Sequence, residues 1–466
     1  MPPLILVGLE QDRDLDQIVS QTEVSEFLGV EFVSAYLSQR GIESKVLHGS
    51  VSVDDILIEE PSAVGFSVLA SNYEGSKRMS RELKSANPEL KIIWGGPQAS
   101  TFYDEVLSQE IVDYVVLGEG EKTTFELMSD LQLNSHSVRG IVFNKKGKII
   151  RNPPQTRLTK PELDSIEFKL IHNEDYSKFA MRIPHSVPYS KMRFANVAGS
   201  RGCWNDCSFC SSGALWGRRM SYRSPENIVD EIDFLVREKD VNYIFFSDDD
   251  FLVNASWVQE IAQGIIRIGL DVKYYVMASV RSAAKFNSYD LLRRSGCAEI
   301  TLGVETTKQS LLDSIGKGYE LSTLPYVANE ISSHGIHFGL YFMMGYPEQT
   351  YRDLVEDYNF VKELPFSRIR PVFIVPFPGT RFYSEVEEKN LWLNGYKNNW
   401  PMLNCDRPVI KSKATPEQLV EMRKKVMGLY LGEDYRLRML DFIENDPLSL
   451  KAFEEFQDNV SAFSSF

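Results

Sequence analysis

The sequence predicts an α/β protein built from two consecutive strand–helix arrays. The first is an N-terminal Rossmann-like parallel sheet, the second a partial (βα)6 TIM-like barrel, and a small, mainly helical C-terminal region follows. Three observations predict this. Short apolar runs alternate with helix-period segments twice along the chain, the pattern of parallel strands covered by helices. Small and polar residues gather just after those runs, at the strand ends where α/β sheets bind ligands. Cys203, Cys207 and Cys210 stand within eight positions, just after the first strand of the second array. At 466 residues the chain is too long for one ordinary core.

The expected divisions are 1–135, 136–194, 195–380 and 381–466. In the first, strands are expected at 4–9, 45–48, 63–68, 91–94 and 114–117, with helices over 27–39, 73–85 and 123–133. Strand-end loops carry Ser67, Ala70-Ser71-Asn72, then Gly95-Gly96-Pro97-Gln98, then Gly118-Glu119-Gly120. Glycine lets a ligand approach the backbone closely, although tight turns alone also explain these residues. No dinucleotide fingerprint follows the first strand, which disfavours NAD.

Residues 136–194 read as a connector with a hairpin, strands 139–143 and 148–151 turning at Lys146-Gly147, and an irregular loop over 178–190. In the second array strands are expected at 195–198, 243–247, 274–279, 299–304, 338–344 and 370–375. The matching helices lie at 225–237, 255–268, 288–294, 308–315, 323–333 and 351–363. Six such units give an incomplete barrel with its chemistry at the carboxyl ends of the strands. Thr415-Pro416-Glu417-Gln418 is a capping box opening a helix to 431, and the tail to 466 reads as helical.

The formal net charge of −14 disfavours an extended nucleic-acid partner, which needs a basic footprint. No segment approaches the ~20 apolar residues of a membrane span, and the first residues read as a buried strand, not a signal peptide. Five cysteines, three of them clustered, are no disulfide framework, so a reducing cytoplasm is the expected location.

The run Arg201-Gly202-Cys203-Trp204-Asn205-Asp206-Cys207-Ser208-Phe209-Cys210 spaces its thiols C-x3-C-x2-C. Thiolates favour iron–sulfur clusters, Zn or Cu(I). A cubane cluster normally takes four cysteines, so three would leave one iron open. A structural Zn knuckle or three buried thiols is the alternative, but neither a fourth Cys nor a His lies nearby in sequence.

This loop resembles the signature of the radical S-adenosylmethionine (SAM) superfamily, including the aromatic Phe209 before the last cysteine. The later strand ends are similar too: Ser247-Asp248-Asp249-Asp250, Ser279-Val280-Arg281, Gly303-Val304-Glu305-Thr306, Met343-Met344-Gly345 and Pro376-Phe377-Pro378-Gly379. The resemblance implies a 4Fe–4S cluster on the three cysteines. It also implies SAM contacts from Phe209, Ser247, Asp248, Asp249, Ser279, Arg281, Glu305 and Met344. The N-terminal strand-end loops, with Trp94-Gly95-Gly96-Pro97 and Leu117-Gly118-Glu119-Gly120-Glu121, look like those of cobalamin-dependent radical SAM enzymes. That implies cobalamin held by Ser67, Ala70, Ser71, Asn72, Gly95, Gly96, Pro97, Gln98, Gly118, Glu119 and Gly120. There is no D-x-H-x-x-G motif: His48 is preceded by Val46-Leu47, so the lower-face residue is unassigned.

The function so implied is radical methylation of an unactivated carbon in a small-molecule or peptide substrate, with an external one-electron donor such as flavodoxin or ferredoxin. The alternatives are a cyclisation, ring contraction or other rearrangement without methyl transfer and, more remotely, a non-catalytic Fe–S or Zn binding module. Methylthiotransferases share the barrel but carry N-terminal cluster cysteines, and residues 1–202 here contain none. Tyr189, Trp216, Tyr341 and Tyr383 are candidate pocket aromatics, although buried aromatics are more often core. Tyr341 and Cys405 are the candidate catalytic residues, and Cys297 reads as structural.

Overall fold

Two large sheets, one mostly parallel and one wholly parallel, carry the chain. The computed structural model describes residues 2–9, 27–130, 136–173, 187–443 and 447–463. The irregular loop expected over 178–190 lies outside the described residues as far as 186.

The first sheet holds β1 (Leu4–Leu9), β2 (Ser44–Gly49), β3 (Ala63–Ser67), β4 (Lys91–Gly95), β5 (Tyr114–Val116), β6 (Ile141–Lys145) and β7 (Lys148–Arg151) in the order β2-β1-β3-β4-β5-β6-β7. The strands up to β5 pair in parallel, in the doubly wound order whose ligand crevice lies at the β1/β3 switch point. β6 and β7 are antiparallel, so the hairpin expected in the connector instead extends this sheet beside β5. Its turn residues, Lys146 and Gly147, both have positive φ, as a two-residue hairpin loop requires.

The helix Pro97–Ser108 went unrecognised in the sequence. Its Ser-Thr-Phe-Tyr stretch has weak helix propensity, and Phe102 departs from helical dihedrals. Burial of Ala99, Val106 and Leu107, which share one face, and contact of the Phe102 ring with Trp400 (4.7 Å between centroids) hold it. Tertiary packing overrides propensity here. The helix expected over 123–133 begins earlier, at Gly120.

The second sheet holds β8 (Phe194–Val197), β11 (Tyr243–Phe246), β12 (Lys273–Ser279), β13 (Cys297–Glu305), β14 (His337–Met344) and β15 (Arg368–Phe373). All pair in parallel, in the order β15-β14-β13-β12-β11-β8. Between β8 and β11 a two-residue hairpin, β9 (Ser200–Arg201) with β10 (Ser221–Tyr222), brackets the cysteine loop. Alternate residues of β14 separate by face: Phe338, Leu340, Phe342 and Met344 pack into the helix-side core, and Tyr341 faces the other way. The helices begin where expected; Ser224 accepts a hydrogen bond from Asn227 N as N-cap of Pro225–Lys239.

The C-terminal region divides its work. Trp392, Trp400, Leu403, Val409 and Ile410 join an apolar cluster with Ile5, Trp94 and Val115 of the first sheet and Met343 and Tyr346 of the barrel. The helix Pro416–Gly428, capped by Thr415 and Gln418 as expected, and its successors cover β15, a barrel edge that would otherwise present unpaired backbone groups. Tyr430 Oη donates to Ile369 O and accepts from Ile369 N, both at 2.6 Å, and Tyr435 Oη donates to Ser367 O at 2.7 Å.

Tyr430→Phe leaves two buried backbone groups of β15 without partners, and is expected to cost about 2 kcal/mol of stability. Anaerobic urea unfolding, compared with the wild type, measures it; an unchanged midpoint would mean that the edge finds other partners.

Candidate functional site

Between the two sheets lies a cavity of about 320 Å³ whose walls come from both. The N-terminal domain contributes Ser67, Gly95, Gly96, Pro97, Gly118, Glu119, Gly120 and Glu121. The barrel contributes Ser200, Arg201, Gly202, Trp216, Ser247 and Asp249. Gly96 has φ +97°, and a Cβ there would stand 2.7 Å from Val68 O. Only glycine turns β4 into the following helix at this point.

The other expected residues of this domain are placed differently. Asn72 is buried and braces strand ends, donating to Leu9 O (3.2 Å) and Ser67 O (3.1 Å) while accepting from Leu69 N (2.8 Å). Ala70 and Ser71 form the short turn before it and do not line the cavity. Gln98 is buried, and its Nε2 finds no hydrogen-bond partner among the described residues. Glu119 is engaged by protein: Oε2 accepts from Leu158 N at 2.6 Å, and Oε1 faces Arg201 and Arg157.

Cys203, Cys207 and Cys210 line one smaller cavity, of about 200 Å³, with Asn205, Ser212, Arg218 and Thr380. Gly202 enters this loop at φ +93°, where a Cβ would come within 2.2 Å of Arg219 O. The loop is pinned from outside. Ser208 N donates to Ile315 O and Phe382 N to Ser208 O, both at 2.9 Å. Arg381 donates to Asp206 Oδ2 and to its carbonyl, both at 2.7 Å. Asn205 Nδ2 reaches Cys203 Sγ (3.4 Å) and Asp250 Oδ2 (3.2 Å). Burial pushes all three thiols above their ordinary range, Cys210 to about 11. Without a metal they are protonated, so metal binding must release their protons.

Three thiols along one cavity, with Cys297 buried in the barrel core and Cys405 packed within the C-terminal region, fit a cubane with one iron left open. Among the described residues no three His, Cys, Asp or Glu side chains converge as ligands of a single metal ion, as a Zn knuckle would require.

The residues expected around SAM fall into two sets. Ser247 and Asp249 line the large cavity, and Asp249 accepts from Ser212 Oγ at 2.6 Å. Glu305, at φ +72°, ends β13 and pairs with Lys317 Nζ at 3.1 Å, both nearly buried. Phe209 packs against the apolar cluster that includes Ile315 and Met343. Arg281 lies over Trp204, 4.3 Å from guanidinium to ring centroid, in a crevice with Lys285.

Asp248, Ser279 and Met344 have internal duties. Asp248 accepts from Gly199 N (3.1 Å) and Ser200 Oγ (2.5 Å). Ser279 caps the turn after β12 and donates to Asp250 at 2.8 Å. The Met344 side chain is buried on the helix face of β14, away from the site. Tyr341 is half-buried with Arg370 5.9 Å over its ring. Burial pushes the Cys405 thiol to about 11, opposite to what a thiolate nucleophile needs.

Sequence reasoning missed Asp250, Asn205, Lys317, Arg201 and Arg381 as organisers of the site. The signals were present in Asp248-Asp249-Asp250, Gly316-Lys317-Gly318 and Arg201, two residues before the first cysteine. Which members turn inward is set by tertiary packing.

The B12 binding domain family matches residues 22–127, and the Radical SAM superfamily matches residues 197–361. The chain belongs to the cobalamin-dependent radical SAM enzymes. The cofactors these families imply for the enzyme are a 4Fe–4S cluster, SAM and cobalamin. Among its relatives, an uncharacterized methyltransferase, PH0819, of Pyrococcus horikoshii is 28% identical over 80% of this chain and 79% of that protein. The anaerobic magnesium-protoporphyrin IX monomethyl ester cyclase of Rubrivivax gelatinosus is 23% identical over 77% of this chain and 66% of its own. The fold is shared with the cobalamin-dependent SAM radical enzyme OxsB, solved with aqua-cobalamin and SAM bound. The TM-score is 0.72 at 16% identity, over 98% of this chain and 71% of that one. Radical SAM enzymes need an external electron donor. Among the described residues no helix is long and apolar enough to cross a membrane.

Two predictions follow from this radical SAM enzyme's geometry. Gly202→Ala displaces the loop entry and is expected to lower iron incorporation to a small fraction of wild type, measured as iron per chain after anaerobic reconstitution. Burial also pushes the Asp248 carboxyl up to about 7. Between the ordinary carboxylate range and that value the folded state holds a proton that the unfolded state has lost. This group's contribution is therefore full at low pH and fades as pH rises through about 7. Asp248→Asn should flatten the dependence of melting temperature on pH between about 4 and 7.

Proposed function

We propose that this enzyme methylates an unactivated carbon of a small-molecule or peptide substrate. The observation that carries the reading is the shared cavity. Strand-end glycines of the B12 binding domain, Arg201 and Gly202 before the first cysteine, and the SAM candidates Ser247 and Asp249 line one space.

When bound, the cluster and SAM supply a hydrogen-abstracting radical and cobalamin supplies the methyl group. The protein's own part is holding and exclusion. Cys203, Cys207 and Cys210 would hold the cluster, with Asn205 tying Cys203 to Asp250. Asp249 and Glu305 supply acceptors for the SAM ammonium, and Lys317 keeps Glu305 from standing as an unpaired buried charge. Phe32, Leu215 and Trp216 give the large cavity apolar walls that keep water from a reactive intermediate. Tyr341 and Arg370, side by side on adjacent strands, offer a surface for the substrate's planar or anionic parts. An external one-electron carrier such as flavodoxin or ferredoxin is the proposed reductant.

A second reading keeps the cofactors but ends in cyclisation or another rearrangement without methyl transfer, favoured by the cyclase relative. Anaerobic absorption spectra of protein from cobalamin-fed cells, with the cluster reconstituted, test the cofactor set: corrin bands near one equivalent per chain are expected. Products that gain the mass of one methyl group support methylation, and products without it favour the second reading. Alanine at Cys203, Cys207 or Cys210 should reduce 5′-deoxyadenosine formation to background; undiminished formation would overturn the role of that thiol.

A further inference from the structure

The end of the loop after β5 and the first turn of the helix that follows are tied to the entry of the cluster loop by charge. Arg201, two residues before Cys203, donates from Nη2 to Glu121 Oε1 at 2.6 Å, and its Nη1 lies 3.5 Å from Glu119 Oε1. All three side chains are nearly buried, with relative exposures of 11%, 3% and 6%. The Arg201 guanidinium is sandwiched further, 4.8 Å from the Phe32 ring centroid and 5.9 Å from that of Trp216. Arg157 reinforces the junction: it faces Glu119 and donates to the carbonyls of Arg219 (3.0 Å), Trp216 (3.4 Å) and Arg201 (3.4 Å). The same Glu119, Glu121, Arg201, Phe32 and Trp216 line the large cavity.

We propose that Arg201 is a positioning residue, anchored by Glu119 and Glu121, through which occupancy of the cobalamin cavity sets the order of the cluster loop. A guanidinium held by two carboxylates and faced by two rings has few alternative positions. Gly202 then makes a turn that admits no side chain, and the first cysteine follows. A ligand that fills the cavity packs against Glu119 and the first turn of the helix that opens at Gly120, and restrains Arg201 through Glu119 and Glu121. The two carboxylates thus serve as struts between the domains rather than as ligands of the corrin. This rests on cobalamin occupying the cavity.

The test is amide hydrogen exchange on the full chain, anaerobic and with no cluster reconstituted, with and without added hydroxocobalamin. Wild-type peptides covering 198–210 should exchange about 10-fold more slowly with hydroxocobalamin bound. Compared with wild type at equal corrin occupancy, read from the absorbance, Glu121→Gln should lose that protection. Arg201→Lys, which keeps the charge but loses the fork, should behave as Glu121→Gln does and covers the case in which one variant fails to fold. Equal protection in wild type and variants overturns the proposal, as does corrin binding that leaves the wild-type loop unprotected. Absence of bound corrin in the wild type overturns the cobalamin reading itself, and the absorbance separates this from failure of the coupling.

Discussion

The cysteine loop has almost no regular structure of its own, and the site depends on how other parts of the chain hold it. Its backbone is fixed from the barrel by Ile315 O and from the C-terminal region by Phe382 N, and Arg381 grips Asp206 at its centre. Its entry is fixed by Arg201, which answers to carboxylates on the N-terminal domain. A loop restrained from three regions distant in sequence keeps three thiols along one cavity before any metal arrives.

The same economy governs the charged groups. Buried ions survive where each has a partner, because an unpaired one carries a desolvation penalty of several kcal/mol. Glu305 with Lys317, Glu231 with Arg223 and His172, and Glu299 with Arg368 all follow this rule. Asp250 is served by neutral donors instead, accepting from the Ser279 and Ser282 hydroxyls and the Asn205 amide.

Most elements of both sheets were legible in the sequence because parallel strands buried on both faces read as continuous apolar runs. Helices with strong caps, such as those at Ser224 and Thr415, were equally legible. The helix Pro97–Ser108 was not, since its stability comes from contacts with Trp400 and Tyr383 some 300 residues away. The hairpin of β6 and β7 was recognised locally, but its pairing with β5 is a matter of sheet register that local pattern does not encode.

By itself the sequence determined the chemistry available: the spacing of Cys203, Cys207 and Cys210, the strand-end glycines and the order of the two arrays. Spacing and alternation are properties of the chain, so they are read directly from it. The tertiary structure alone decided which side chains that chemistry can use. Met344 turns into the core by strand alternation, Asn72 and Asp248 are occupied by backbone donors and acceptors, and Glu119 is claimed by Arg201 and Arg157. The direction of a side chain, and whether a partner from elsewhere already holds it, are fixed only when distant segments pack together.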